Sequence, residues 1–386
     1  CAGPLARLAA PGLAVGARPA GLACPLEATT AGHHVVIMER SERIGGRGTT
    51  QNFDGFPFGF GPHLFLKKGP FHDLVRKLSR VRLTSSPIQL HRVEVLGHGV
   101  VRPVDDVKAS ILAKKILREA SSNERIVRGC RFLASWNTSE ISERYAGLQK
   151  NKLLVSNEGW SGMVGRMAAA LDEVGVFIEC GLHVNKIETG KVHLADGREI
   201  ETDVIVLACG PAAARKLIRS VDEEKAKEIF SPLQRTTASF IEVGLDSKSL
   251  SGRQAIVDVD NQFAILDYRA IQPRLGLEGC HLSAVAVGGL ETDPGETRFS
   301  SEGERLAALT NFMNQRASGW KEHIVQHSEQ AKITILDSNE YRIPQRAFAN
   351  VGILLAGSWI ESEHLLADAS VDTGRNAGRS ISSAMR

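Results

Sequence analysis

Two apolar stretches, Gly12-Leu13-Ala14-Val15 and His34-Val35-Val36-Ile37-Met38, flank the segment Gly16-Ala17-Arg18-Pro19-Ala20-Gly21. This order constrains the fold more than any other feature of the chain. Short apolar runs with β-branched residues read as buried parallel strands. The residues between them predict a helix from Ala20 to Ala31, closed by Gly32. A strand, a glycine turn, a helix and a second strand form the unit that cradles a pyrophosphate. The first glycine makes the turn, the second admits close backbone approach, and the third lets helix and strand pack closely. Free N–H groups at the helix start then face the anion. Gly16 and Gly21 occupy the first and third places, while Arg18 stands in the second. Glu39 ends the second strand, where a carboxylate can accept from a ribose. Arg18 therefore predicts weakened cofactor contact, and Arg18→Gly is expected to tighten it. Pro25, inside the helix, costs on the order of 3 kcal/mol.

Farther on, Glu39-Arg40 leads into Arg43-Ile44-Gly45-Gly46-Arg47, and then Phe60-Gly61-Pro62-His63-Leu64-Phe65. From Gly32 to Phe65 the chain resembles the flavin-dependent amine oxidase, phytoene desaturase and protoporphyrinogen oxidase superfamily. The resemblance implies that Glu39 holds the adenosine ribose of FAD. It also implies that Arg40, Gly45, Gly46 and Arg47 wrap the pyrophosphate and flavin. Two glycines allow a turn close to a ligand, and Arg47 offers a forked cation. By the same resemblance Gly61 and Pro62 pass the flavin ring, in a Gly-Pro-His form similar to galactopyranose mutases. His63 has two readings, a group that tunes the ring or holds substrate, and a buried histidine satisfied by a backbone carbonyl.

The resemblance continues in order. His183-Val184-Asn185-Lys186-Ile187 is similar to the strand whose valine meets adenine, followed by a hairpin at Asp196-Gly197 and a buried strand from Asp203 to Cys209. Gly352 to Trp359 resembles the strand and turn that return to the flavin, with Ser358 after Gly357 where the family commonly has Asp. Val371 to Gly378 resembles the start of the last helix, which would direct the N–H groups of Thr373 and Gly374 to the flavin. Tyr341 lies in a segment similar to one near the family's active site. His63 and Tyr341 are the candidate catalytic residues.

The expected architecture is α/β. A Rossmann-like FAD-binding domain, a parallel sheet with helices, is joined to an α+β substrate domain with a mainly antiparallel sheet. Residues 1–68, 151–212 and 345–386 belong to the first domain, and residues 69–150 and 213–344 to the second. Within the second, a helix follows Gly69-Pro70, a hairpin turns at Gly97-His98-Gly99, and Asp105-Asp106 cap another helix. Met163, Met167, Leu171 and Val174 mark a helix face. Strands are expected at Ser239–Leu245, 255–259, 263–266, 281–287 and 332–336, with a helix through Leu306, Leu309 and Met313.

A length of 386 residues with 42% hydrophobic content suits two domains with sizeable cores. Lysine plus arginine number 47 against 44 acids, and no basic stripe carries interleaved aromatics, so nucleic acid is not an expected partner. None of the six cysteines forms a Cys-x-x-Cys pair, which points to free thiols in the cytoplasm. No histidine or cysteine group has metal spacing, and no apolar run approaches the roughly 20 residues that span a bilayer. A chain opening on Cys1 reads as a fragment or a processed end.

The leading functional reading is an FAD-dependent oxidoreductase that takes hydride from a hydrophobic small molecule, an isoprenoid or a tetrapyrrole. Peripheral membrane contact and the oligomeric state stay open. The alternatives are a non-catalytic prenyl or lipid binder similar to GDP-dissociation inhibitors, and an isomerase similar to UDP-galactopyranose mutase.

Overall fold

In the computed structural model, residues 10–384 are described, except residue 54 and segments 79–81, 90–91, 97–152, 248–249, 251, 259–260, 273–278, 339–340 and 365. The expected turn at Gly97-His98-Gly99 and the helix after Asp105-Asp106 lie outside the described residues.

Strand β1 (Ala10–Val15) begins two residues before the apolar run that marks it in the sequence. It feeds helix α1 (Pro19–Thr30), and β2 (Val35–Met38) returns parallel to β1. Pro25 stays within α1. Its ring removes one donor, yet the helix continues because Leu22, Ala23, Cys24 and Ala28 bury its inner face.

A seven-stranded sheet gathers segments far apart in the chain. Its order is Val184–Glu188, Lys191–Leu194, β3 (Glu199–Leu207), β1, β2 and Ile178–Glu179, with a short strand at Ile353–Leu355 pairing with β3. Ile353–Leu355 pairs parallel with the end of β3, and the turn at Asp196-Gly197 joins two antiparallel neighbours. The helix Gly159–Glu173, α2, buries Met163, Met167 and Leu171. Val174 follows the helix and is exposed, so its place on the inner stripe is a correction. The helical turn ends one residue earlier and the chain swings outward at Gly175 (φ +75°).

The second sheet has six strands, in the order β7 (Ile324–Leu336), β4 (Thr236–Leu245), β6 (Cys280–Val287), β5 (Phe263–Asp267), Ala255–Asp258 and Val93–Leu96. Apart from Ala255–Asp258 with Val93–Leu96, neighbours run antiparallel. Alternation in β4 suggests one wet face, but all ten of its residues are buried. Helix α3 (Glu302–Arg316) covers the back with Leu309, Phe312 and Met313. The Phe56 ring covers the front at Gly244, lying 2.6 Å from where a methyl group would be. Strand β7 starts eight residues before the expected 332–336.

Arg305 of α3 anchors the back face. Fully buried, it donates to Asp293 at 3.1 Å, Ser239 at 2.9 Å and Thr237 at 3.0 Å. Breaking such a buried pair is far costlier than losing a surface ion pair.

The last helix, α4 (Leu366–Ala384), begins five residues before Val371. Val371 to Gly378 is therefore not its start, and those N–H groups serve the helix itself. Gly374 and Gly378 instead allow α4 to press on α1. A methyl group at either would lie 2.2 Å from the carbonyl oxygens of Ala20 and Cys24 respectively. At the first turn of α4, Asp368 accepts from the Phe71 N–H at 2.8 Å, and burial pushes its carboxyl up to about 6.

Candidate functional site: a crevice at the strand ends

The carboxyl ends of β3, β1 and β2 open onto one crevice. Its position follows from topology, because β1 sends the chain to β2 on one side and pairs with β3 on the other. Ligands of open α/β sheets bind at such a switch point. Gly16 takes φ +106°, donates to the Met38 carbonyl at 2.7 Å, and brings its Cα to the Ala208 main chain. Gly21 meets a stricter demand. A methyl group there would sit 1.8 Å from the Gly16 carbonyl oxygen, so only glycine lets α1 start against the turn.

Glu39 reaches back to this loop. One carboxylate oxygen accepts from Ala17 N–H at 2.8 Å and the other from Ser41 N–H at 2.9 Å. Each oxygen keeps further acceptor capacity for a hydroxyl. The Gly45-Gly46 turn docks on the same loop through Gly45 N–H to the Ala17 carbonyl at 2.8 Å. Gly45 (φ +94°) and Gly46 (φ +60°) are both left-handed there. Arg18 caps α1 with extended backbone and lays its side chain across the crevice. A methyl group at Gly46 would lie 2.9 Å from Arg18 Cγ, and one at Gly210 would lie 3.2 Å from Nη1. Cys209 lies within the field of Arg18, Glu39 and Arg40. Burial pushes its thiol up to about 11, partly opposed by the Arg18 charge.

Arg40 is exposed. Arg47 leaves the crevice and pairs with Asp337 and the Thr334 carbonyl at the end of β7, clamping the glycine turn to the second sheet. Val184 is buried in the same apolar cluster as Val15 and Met38. Gly357 (φ +149°) donates to Thr373 Oγ1 at 3.0 Å, and Ser358 is half-buried in the same turn. The Trp359 indole donates to the Cys209 carbonyl at 3.2 Å, which fixes that turn beside the end of β3.

The Gly61-Pro62-His63 segment lies on the front of the second sheet. Gly61 (φ +91°) sits over Phe240 of β4, and Phe60 meets the Phe240 ring edge-on at 6.3 Å. His63 contacts Trp160 edge-on at 5.2 Å. Its Nδ1 lies 2.7 Å from the Gly61 carbonyl, which can only accept. Burial lowers the His63 pKa, outweighing Glu242 and the main chain of Gly61, which favour the cation. The ring is thus held neutral at pH 7 with its proton on Nδ1.

The His63 main-chain N–H donates to the Tyr268 hydroxyl at 3.0 Å. Tyr268 stacks on His281 at 4.7 Å, and Phe58 lies on His281 at 5.1 Å. His281 Nε2 is 3.7 Å from Glu242 Oε1, with both side chains 1% exposed. Glu242, Tyr268 and His281 thus form a polar group behind His63 that the sequence reading did not nominate. An acid inside the apolar run of β4 was the available signal. Its partners became visible only through the register that sets Glu242 opposite Ser283 and Gly244 opposite His281. Tyr341 stands apart. Its side chain is exposed near Glu228 and Glu361, and among the described residues no hydrogen bond or ring contact joins it to His63.

Residues 15–78 match the family described as NAD(P)-binding Rossmann-like domain. No curated protein matches the chain. Among solved structures, an oxidoreductase from Methanosarcina mazei is 14% identical with a TM-score of 0.74, over 95% of this chain and 99% of that one. Cyclohexylamine oxidase from Brevibacterium oxydans is 14% identical with a TM-score of 0.66, over 98% and 100%. A reduced UDP-galactopyranose mutase is 10% identical with a TM-score of 0.66, over 97% and 94%. The chain shares its two-domain fold with these structures. Its Rossmann-like domain and its antiparallel-sheet domain meet at the Gly61-Pro62-His63 segment.

The residues present fit an adenine dinucleotide such as FAD. Gly16, Gly21, Gly45 and Gly46 keep side chains out of the crevice, Glu39 retains acceptor capacity, and Arg18 adds a cation. Among the described residues, no cluster of side chains suits a metal ion, and no helix is long and apolar enough to cross a membrane.

Proposed function

We propose that this chain is an FAD-dependent oxidoreductase, a dehydrogenase, desaturase or oxidase, that passes hydride from a hydrophobic small molecule to the flavin. One observation carries the reading. The Gly61-Pro62-His63 segment lies on the front of the second sheet, a buried face that is apolar around Glu242, His281 and Ser283. That face includes Ala238, Ala264, Leu266 and Val285, with Phe240 beneath Gly61.

Gly16, Gly21, Gly45, Gly46 and Glu39 would hold the adenosine and pyrophosphate, with Val184 at the adenine side. Gly61, Pro62, Gly357 and Ser358 would border the ring. FAD supplies the two-electron chemistry when bound. The chain's own residues then orient and exclude water. Neutral His63 presents an uncharged polar group, Tyr268 fixes its main chain, and Phe60 and Phe240 keep the substrate side dry. Isoprenoids and tetrapyrroles are the first substrates to try.

The visible spectrum of purified protein tests the reading. Flavin absorbance that bleaches anaerobically with a hydrophobic substrate supports it. Protein that neither carries flavin nor takes up added FAD sinks it, and favours a non-catalytic prenyl or lipid binder. A mutase-like isomerase is the second reading, favoured by Gly61-Pro62-His63. Turnover of a nucleotide sugar by reduced protein, without net oxidation, distinguishes it.

A further inference from the structure

The glycine pattern gives Arg18 a purely negative role, as a side chain where backbone should approach phosphate. Its geometry argues otherwise. The side chain does not fold back over the crevice floor. Its stem runs along Gly46 and its guanidinium ends beside Gly210, so it crosses between two turns that lack side chains. Both glycines make room for it, since a methyl group at either would crowd it.

Among the described residues no acceptor pairs with the Arg18 guanidinium. Glu39 accepts from the N–H groups of Ala17 and Ser41 and forms no ion pair with Arg18. Arg40 adds a second positive charge in the field at Cys209. The first turn of α1 also contributes free N–H groups and the positive end of its dipole. A forked cation in such surroundings matches a diphosphate, which it can engage through parallel charge-assisted hydrogen bonds.

We propose that Arg18 is a direct phosphate-binding residue, whose guanidinium holds the pyrophosphate of the bound dinucleotide in place of the backbone approach that a second glycine would give. This deepens the proposed function and rests on that reading for the identity of the dinucleotide as FAD. It reverses the sign expected from the pattern alone. Arg18→Gly now weakens binding instead of tightening it.

The test titrates wild type, Arg18→Gly and Arg18→Lys with FAD by flavin fluorescence. ADP and adenosine are followed by calorimetry, each at low and high salt. Glycine is an acceptable N-cap residue, so the variant keeps α1, and circular dichroism checks it. Arg18→Gly is expected to lose about ten- to a hundredfold in FAD and ADP affinity, the worth of one or two charge-assisted hydrogen bonds. Arg18→Lys should fall between, because a point charge cannot fork. Adenosine affinity should not change, and the variant should show the shallower salt dependence. Equal or tighter FAD binding by Arg18→Gly overturns the proposal, as does an equal loss for adenosine. NADPH binding with the same dependence on Arg18, and no FAD binding, would uphold this inference while overturning the flavin function. Failure of every protein to bind any adenine ligand overturns both.

Discussion

The two surfaces that meet at Gly61-Pro62-His63 are built in opposite ways. The crevice side is mostly main chain. Gly16, Gly21, Gly45 and Gly46 set its shape, and Glu39 acts on backbone N–H groups within the same short stretch. The sheet side is made of side chains. Phe240, Glu242, Tyr268 and His281 come from two strands and the short helix that follows β5, and α3 holds that sheet from behind. A main-chain site depends on a few positions that tolerate no Cβ. A side-chain site depends on strand register and on buried polar pairs. Mutations should therefore separate binding from stability differently on the two sides.

Arg305→Ala should have the largest effect on stability. It leaves Asp293 buried without its cation, at a cost of about 3–5 kcal/mol. Urea unfolding measures this, and the folded fraction should keep its dinucleotide affinity. A loss under about 1 kcal/mol, the scale of an exposed pair, would show that the back of the sheet does not depend on this residue.

Gly21→Ala should do the reverse. Overpacking typically costs about 1–3 kcal/mol, but the methyl group must displace the Gly16 carbonyl, so dinucleotide binding should fail first. Thermal melting alongside FAD titration checks the order. Unchanged affinity in a folded variant would break the contrast between the two sides.

Glu242→Gln should have the smallest effect on stability and the clearest pH signature. Glu242 raises the His63 pKa against the larger effect of burial, so its loss should lower that pKa further. A histidine held below its unfolded value near 6.5 binds its proton later in the folded chain. Stability is then full above that value and falls as pH drops through it toward the folded pKa. The variant should extend this loss to lower pH. Imidazole resonances followed by NMR against pH give the measurement, and an unmoved His63 would show that Glu242 does not act on it.

The difference between the surfaces also explains what could be read in advance. The order strand, glycine turn, helix, strand and acid is local, and Gly16, Gly21 and Glu39 fall where the pattern puts them. Glu39 nevertheless bonds to Ala17 and Ser41, which spacing alone does not reveal. Arg47 carries a phosphate-binding appearance in the sequence, yet its partners Thr334 and Asp337 lie nearly three hundred residues away. Gly374 resembles a ligand-facing glycine, while its Cα packs on the Ala20 carbonyl in the middle of a helix contact.

The sequence by itself determined the strand, glycine turn and helix unit, because a turn that must take positive φ and a helix that must start against a carbonyl each demand glycine at a fixed spacing. The alternation in Ser239–Leu245 also pointed to an antiparallel sheet, although the face it assigned to solvent is buried. Tertiary structure alone decided the company each charged group keeps. It placed Glu242 beside His281 through strand register, withdrew Arg47 to a domain clamp, and left Arg18 spanning the crevice between two glycines. Electrostatic partners are chosen by distance in space, and no spacing along the chain encodes that distance once the strands come from remote segments.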